Sequence, residues 1–313
     1  MSARATPRLD PAAVRRTLRA SGLRPRRGLS QNFLADVEVL EAILAEAVPA
    51  PGRSVLEIGP GLGILTGGLL AAGAAVTAVE LDPGLVRHLV AAFGESLARG
   101  AEVPPPAPGP PGSLRLVEGD VLDQDLAGLV APPYDVVANL PYHVTSPVLH
   151  LLLGREPRPD RAVLMLQREV AERVAAAPGA MSYLSVFVQY HAAARIVRRV
   201  PREAFEPAPE VESAVLALQV RPGDAPGRLA PVAEDNLWRL VQAGFRERRK
   251  MLRNVLARQL PVDPGSVDAA LAAAGIAGDR RPQTLGVGEW LALAATLGRL
   301  PADRRGRRAE APT

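Results

Sequence analysis

Two rhythms of apolar and polar residues share this chain. Short apolar runs at Ser54–Ile58, Ala74–Val79, Leu114–Val117, Tyr134–Ala138, Arg161–Leu166, Ile196–Val200 and Ser213–Val220 are bounded by Gly, Pro, Asp or Asn, which predicts buried strands. Between them lie helical patterns. Asp36–Ala47 puts Val37, Leu40, Ile43 and Leu44 on one face, and helices are also expected at Val148–Leu153, Gln167–Ala176 and Ser182–His191. Strands alternating with helices predict an α/β domain with a mainly parallel sheet. The stretch RPGDAPG at 221–227 has the composition of a linker. Beyond it the pattern turns helical: Asp235–Leu260 carries Leu237, Leu240, Val241, Phe245, Leu252, Val255 and Leu256 at helical spacing, and shorter helices follow near 264–275 and 287–298. The expected organisation is a 28–222 α/β domain and a 228–300 helical domain, flanked by a basic arm, 1–27, and a disordered basic tail, 301–313.

The polar residues that interrupt this pattern carry the chemistry. The first strand runs into Gly59-Pro60-Gly61-Leu62-Gly63, and a helix starts near Leu65. Strand, glycine turn and helix open the nucleotide-binding half of a doubly wound sheet. A dinucleotide fingerprint wants a third small residue at 64, where Ile64 stands, and Pro60 lacks the N–H a pyrophosphate would use. A ligand without phosphates, such as S-adenosylmethionine (SAM), fits better. Glu80 ends the second strand 21 residues after Gly59, close to the spacing of an acid that grips a ribose. Asp120 and Asn139 follow the third and fourth strands. An Asp after a strand is usually a helix cap, and Asn-Leu-Pro-Tyr alone is usually a turn. With Gly59, Glu80, Asp120 and Asn139 all at carboxyl ends of successive strands, a bound adenosine cofactor explains the set better.

Asn139-Leu140-Pro141-Tyr142 suits a particular reaction. The exocyclic amine of adenine is a poor nucleophile because its lone pair is delocalised into the ring. An Asn oxygen and a backbone carbonyl can accept its two hydrogens and favour the tetrahedral form. Pro141 helps to fix that carbonyl, and Tyr142 offers a face for stacking an extruded base.

Composition narrows the classes. The chain of 313 residues has no cysteine, which removes disulfides, cysteine-ligated zinc and thiol catalysis. Its four histidines show no metal-ligand pairing, and no metal is expected. No apolar run approaches the length of a membrane span. Lys250 is the only lysine among 37 basic side chains, a bias that reads as GC-rich coding, so the position of the arginines matters more than their number. In the arm, Arg4, Arg8, Arg15, Arg16, Arg19, Arg24, Arg26 and Arg27 face one acid, Asp10. Asp10-Pro11 starts a short helix that Gly22 ends. A solvated arm and a phosphate-contacting arm fit it equally, and an organellar transit peptide fits it less well. In the helical domain, Phe245-Arg246-Glu247-Arg248-Arg249-Lys250-Met251-Leu252-Arg253 is a basic knot. On a helix, Arg246, Arg249 and Arg253 would share a face, as a solvated surface or as a phosphate grip for RNA that also involves Arg248 and Lys250.

Taken with SQNFL, EIGPGLGILT, VELD, EGD, NLPYHVTSP, LQREVAERV, the FEPAPEVESAV block and FRERRKMLRN, the chain from about Leu23 to Leu297 resembles the ribosomal RNA adenine N6-dimethyltransferases, most closely the bacterial KsgA (RsmA) branch. The resemblance implies a Rossmann-like class I SAM-dependent methyltransferase fold, its last strand antiparallel, with a small C-terminal helical domain. It implies SAM contacts at Asn32, Leu34, Gly59, Gly61, Glu80, Asp120 and Asn139, with Glu80 on the ribose hydroxyls and Asp120 on the adenine amine. It implies that Asn139 and the Leu140–Pro141 backbone hold the target N6 while Tyr142 and Phe205 cover the base. The implied substrate is two adjacent adenosines in the 3′-terminal hairpin of small-subunit (16S) rRNA within a 30S precursor, each methylated twice by a cytoplasmic monomer. A large-subunit (23S) rRNA adenine methyltransferase of the antibiotic-resistance type and a non-catalytic ribosome assembly factor are the alternatives. A DNA adenine methyltransferase fits less well, because Leu140 stands where such enzymes usually carry Pro. Two positions depart from the family pattern: Ser30, where Gly is usual, and His143, where Asn or another polar residue often follows the Tyr. His143 is expected as a pocket wall, and the Pro-rich 103–112 loop as an unrelated insertion.

Overall fold

The computed structural model describes residues 9–301, apart from 224 and 226; Arg4, Arg8 and the tail from 302 onward lie outside the described residues. The chain forms two compact units. The first runs up to Glu172 and resumes over His191–Arg221, and the second combines Arg173–Tyr190 with the chain from Pro222. The sequence placed residues 173–190 in the 28–222 domain. Instead, Met181, Val186 and Tyr190 join the second unit's apolar cluster, and the N–H groups of Gly179 and Met181 donate to the Gln283 carbonyl at 2.8 and 3.2 Å.

A seven-stranded sheet organises the first unit. Its strands are β1 (Ser54–Ile58), β2 (Ala75–Glu80), β3 (Leu114–Glu118), β4 (Tyr134–Asn139), β5 (Arg161–Gln167), β6 (Ala192–Val200) and β7 (Ser213–Val220). Their order is β3-β2-β1-β4-β5-β7-β6. β1 pairs in parallel with β2 and β4, and only β7 runs antiparallel, against both β5 and β6. Every residue of β1 and β2 is buried, as expected of parallel strands covered on both faces. Register then decides the rest. Ile58 lies opposite Val79 on one side and Ala138 on the other, so Gly59, Glu80 and Asn139 emerge at one level. That level is the point where chain order reverses about β1, the crevice in which open α/β sheets bind ligands.

The arm is ordered where it is described. Pro11–Ala20 is a helix, with the Asp10 carboxylate accepting from Ala13 N–H at 2.7 Å. Its buried Val14 and Leu18 join Phe33, Ala35, Leu62 and Leu85 in a small apolar cluster. The Pro-rich insertion is exposed at residues 104–108, and the Arg115 guanidinium holds it through the carbonyls of Val103 (2.7 Å) and Ala107 (3.2 Å).

The second unit packs helices Pro231–Phe245, Leu252–Gln259, Pro264–Ala273 and Val287–Leu297 around fully buried Trp290. The helix expected without interruption over 235–260 is broken. Residues 246–251 form a turn: Arg246 N–H donates to Ala243 O and Lys250 N–H to Glu247 O. Leu252 N–H donates to Arg280 O at 2.7 Å and Arg253 N–H to Gly278 O, so these donors cannot close an α-helical turn. Like charges three and four residues apart also weigh against a helix there. Arg246, Arg249 and Arg253 therefore do not share a helix face.

Beneath the glycine turn, Glu57 is fully buried and accepts from Thr66 Oγ1 at 2.7 Å. Burial pushes its carboxyl up to about 8, with the Thr66 hydrogen bond opposing and Glu80 adding to the shift. The folded chain thus holds this proton more tightly than the unfolded chain. The stabilisation is complete below the ordinary carboxylate range and is lost as pH rises toward 8. Glu57→Gln, a mimic of the protonated acid, is expected to raise the melting temperature at about pH 9 and to leave it nearly unchanged at about pH 4. An equal shift at both pH values in thermal melts would contradict a protonated Glu57.

Candidate active site

The glycine turn after β1 is built on positive φ. Gly59, Gly61 and Gly63 have φ of +68°, +59° and +78°, where a Cβ is disfavoured. At Gly61 a Cβ would also stand 3.2 Å from the Phe33 ring. This geometry aims Gly61 N–H at Glu80 Oε2 (3.0 Å), while Asp82 N–H holds Oε1 (2.9 Å). Glu80 is 5% exposed. Burial raises its pKa against the pull of those two N–H donors.

Asp120 follows β3 as both readings of it required. It caps a short 3₁₀ turn, Oδ1 accepting from Leu122 N–H at 2.9 Å, and it lines the same pocket as Glu80. At the end of β4, Asn139 Nδ2 donates to the Asn32 carbonyl at 3.1 Å. That bond orients the amide and leaves Oδ1 as its free acceptor among the described residues. Leu140 N–H donates to Met165 O at 2.9 Å and Val144 N–H to Pro141 O at 3.2 Å. Of the two carbonyls, Leu140's is the one left without a backbone donor among the described residues. Tyr142 is half-buried, its hydroxyl 2.9 Å from Ser213 Oγ, and burial raises its pKa. Phe205 pairs with Leu34 in a two-stranded ribbon, Phe33–Leu34 against Phe205–Glu206.

The pocket at this level encloses about 1150 Å³ counting its open mouth. The structure brings together on its wall all the residues expected for the cofactor (Asn32, Leu34, Gly59, Gly61, Glu80, Asp120 and Asn139) and for the target base (Leu140, Pro141, Tyr142 and Phe205). The charged residues on that wall are Glu80 and Asp120; no Arg or Lys lines it. Two carboxylates without a cation disfavour phosphate and suit a ligand that offers hydroxyls, an amine and positive charge. SAM, with its ribose diol, adenine amine, sulfonium and ammonium, has that character.

Sequence reasoning missed the bracing around the pocket. Gln31 Nε2 donates to Asp82 Oδ2 at 3.0 Å, Gln31 Oε1 accepts from Arg26 N–H at 2.8 Å, and Arg26 Nε lies 3.3 Å from Asp82. Gln31 thus joins the arm to the end of β2. Its only signal was its place in SQNFL. Asp82 lies within VELD, where it also caps the helix Pro83–Ala92. Ser30 takes φ +49°, which explains why Gly suits that position. His143, the other departure, is exposed on the pocket rim with Nδ1 3.4 Å from Ser30 Oγ. The five basic-run residues, Arg246, Arg248, Arg249, Lys250 and Arg253, are all exposed on the second unit, and Arg246 donates to Gln259 Oε1 at 2.9 Å.

Sheet order, glycine turn and acid-lined pocket define a class I SAM-dependent methyltransferase fold. Comparisons with known proteins make the assignment narrower. The Ribosomal RNA adenine dimethylase family matches residues 22–297, and the chain belongs to that family. It is 43% identical over 291 residues to Ribosomal RNA small subunit methyltransferase A of Anaeromyxobacter sp. (strain K), covering 88% of this chain and 94% of that protein. The Moorella thermoacetica protein of the same name is 41% identical over 303 residues, covering 92% and 97%. Among solved structures, the 23S rRNA methyltransferase ErmE superposes with a TM-score of 0.65 at 28% identity, covering 85% of this chain and 99% of that one. A dimethyladenosine transferase from Plasmodium falciparum gives 0.67 at 25% identity, covering 83% and 95%.

The Gln31 brace yields a stability prediction. Burial opposes ionisation of Asp82, but hydrogen bonds from Gln31 and Gly84 N–H, together with Arg26, hold its pKa below the ordinary value. That stabilisation is present above the ordinary carboxylate range and is lost as pH falls through it. Gln31→Ala is expected to cost about 1.5 kcal/mol at neutral pH and to lose less stability than wild type on acidification. Denaturant titrations at two pH values check both parts; a variant as stable as wild type at neutral pH would remove Gln31 from the brace.

Proposed function

We propose that this enzyme transfers methyl groups from SAM to N6 of two adjacent adenosines in the 3′-terminal hairpin of small-subunit rRNA, each twice. It acts as a cytoplasmic monomer on the small-subunit precursor. One observation carries the chemical part of the reading: among the described residues, Asn139 Oδ1 and the Leu140 carbonyl are left as acceptors on the wall of an acid-lined pocket without Arg or Lys. The similarity to proteins named small subunit methyltransferase A, at 41–43% identity over most of the chain, supports the small-subunit substrate over the large-subunit one.

Bound SAM would supply an electrophilic methyl group. Glu80 would accept from the ribose hydroxyls and Asp120 from the adenine amine, with Asn32 and Leu34 closing the pocket from above. The target adenine would be flipped out of the RNA, its ring between Tyr142 and Phe205. Asn139 Oδ1 and Leu140 O would accept hydrogen bonds from the two N6 hydrogens in the first transfer, and one of them from the remaining N6 hydrogen in the second, pulling the amine toward tetrahedral geometry and stabilising the positive charge that develops on it. Tyr142 is held for this by Ser213, and Asn139 by Asn32. Rate comes from positioning; the methylated ammonium is acidic and gives its proton to solvent, so no dedicated base is needed. In the second unit, the exposed turn Arg246–Lys250 with Arg253 is a phosphate grip formed by a helix break.

Two variants test the assignments. Asn139→Ala is expected to lower methyl transfer by at least ~100-fold while SAM binding by calorimetry stays within a few-fold of wild type; near wild-type turnover would sink the role given to Asn139. Arg249→Ala is expected to weaken binding to small-subunit rRNA and to reduce the slope of log affinity against log salt by about 0.9. An unchanged slope would return that turn to a plain solvated surface. Nucleotide mapping of the methylated product separates small-subunit from large-subunit specificity.

A further inference from the structure

The N-terminal helix uses its arginines in two ways. Arg15 donates to Glu206 Oε2 of the pocket ribbon at 2.6 Å, and Arg26 lies against Asp82 at the end of β2. Arg15 ties the helix itself, and Arg26 ties the stretch that follows it. Val14 and Leu18 fasten the middle, packed against Phe33, Leu62 and Leu85. With Val14 and Leu18 inward, the 3.6-residue period puts Arg16 and Arg19 on the outward side. Arg16, Arg19 and Arg24 are exposed and form no ion pair among the described residues. Asp10, the one acid before Asp36, is occupied as the helix cap. A fixed row of cations therefore stands beside a pocket whose own charged groups are carboxylates.

We propose that Arg16, Arg19 and Arg24 form a second RNA-contacting surface, carried by the first unit itself, that grips the phosphates flanking the flipped adenosine. This rests on the reading that the substrate is rRNA. The separation of charge has a physical logic: the pocket takes a cationic cofactor and a neutral base and rejects phosphate, so the backbone must be held outside it. Docking orders the helix before RNA arrives, so little conformational entropy remains to be lost when the phosphates bind. Arginine also suits the task, since its planar fork binds phosphate oxygens in pairs.

The test uses the full chain with an unmodified RNA hairpin from the small-subunit 3′ end, and compares wild type with R16A/R19A and R16K/R19K. Loss of two phosphate contacts is expected to reduce the slope of log affinity against log salt by about 1.8 and to raise KM for RNA several-fold. kcat, SAM affinity and melting temperature should stay at wild-type values, and the lysine pair should restore most of the binding. Wild-type salt slope and KM in R16A/R19A would overturn the proposal. So would a loss confined to melting temperature or SAM affinity, which would make the arm a structural strap only. A wild-type enzyme that binds this RNA but methylates neither it nor unmodified small ribosomal subunits would refute the substrate reading, while the salt slopes would still decide the role of the arm. Failure of wild type to bind it would overturn both.

Discussion

The parallel hydrogen-bond register between Ser54–Ile58 and its two neighbours sets where Gly59, Glu80 and Asn139 of the pocket stand. Because Ile58 faces both Val79 and Ala138, the next residue of each strand reaches the carboxyl edge together. One slip of a single residue would move Glu80 or Asn139 off that edge and turn its side chain to the other face of the sheet. The apolar burial of both strand faces makes such a slip costly, so the core fixes the chemistry. The glycine turn completes the arrangement: its positive φ values direct Gly61 N–H to the Glu80 carboxylate.

Charge is distributed by the same architecture. On the pocket wall lie Glu80 and Asp120; outside lie the arginines of the N-terminal helix and, on the second unit, those of the 246–253 turn. Burial raises the pKa of Glu57 and Glu80, the cost of keeping carboxylates beneath and beside a glycine turn without a cation to pair them. A cofactor bearing a sulfonium and an ammonium would offset part of it. Phosphate would be left to surfaces where arginine is solvated, and contacts proposed there would add affinity and orientation without entering the reaction.

Much of this was legible in the chain because it depends on local signals. Each of the seven strands was found by its apolar run, and Gly59, Glu80, Asp120 and Asn139 by their place just after or at the end of a strand. What was not legible depends on partners distant in sequence. The helix expected over 235–260 breaks because Leu252 and Arg253 donate to the chain at 278–280, an arrangement that apolar periodicity does not encode. Residues 173–190 group with the second unit because Met181, Val186 and Tyr190 join its apolar cluster, Tyr190 packing edge-on against Trp238. Ser30 and His143 were visible only as departures from a family pattern; their 3.4 Å approach and the left-handed backbone of Ser30 needed coordinates.

The sequence by itself determined the α/β rhythm, the strand ends that carry polar residues, the absence of thiol chemistry and the resemblance that led to the rRNA adenine dimethylases. These follow from nearest-neighbour periodicity and residue type. Among the described residues, tertiary structure decided which acceptors remain free at Asn139 and Leu140, and that Arg15 and Arg26 are tied down while Arg16, Arg19 and Arg24 face solvent. It also decided how Gln31 braces the arm to Asp82. Each of these is a competition for hydrogen bonds and ion pairs among residues far apart in the chain, and only folding shows which partner wins.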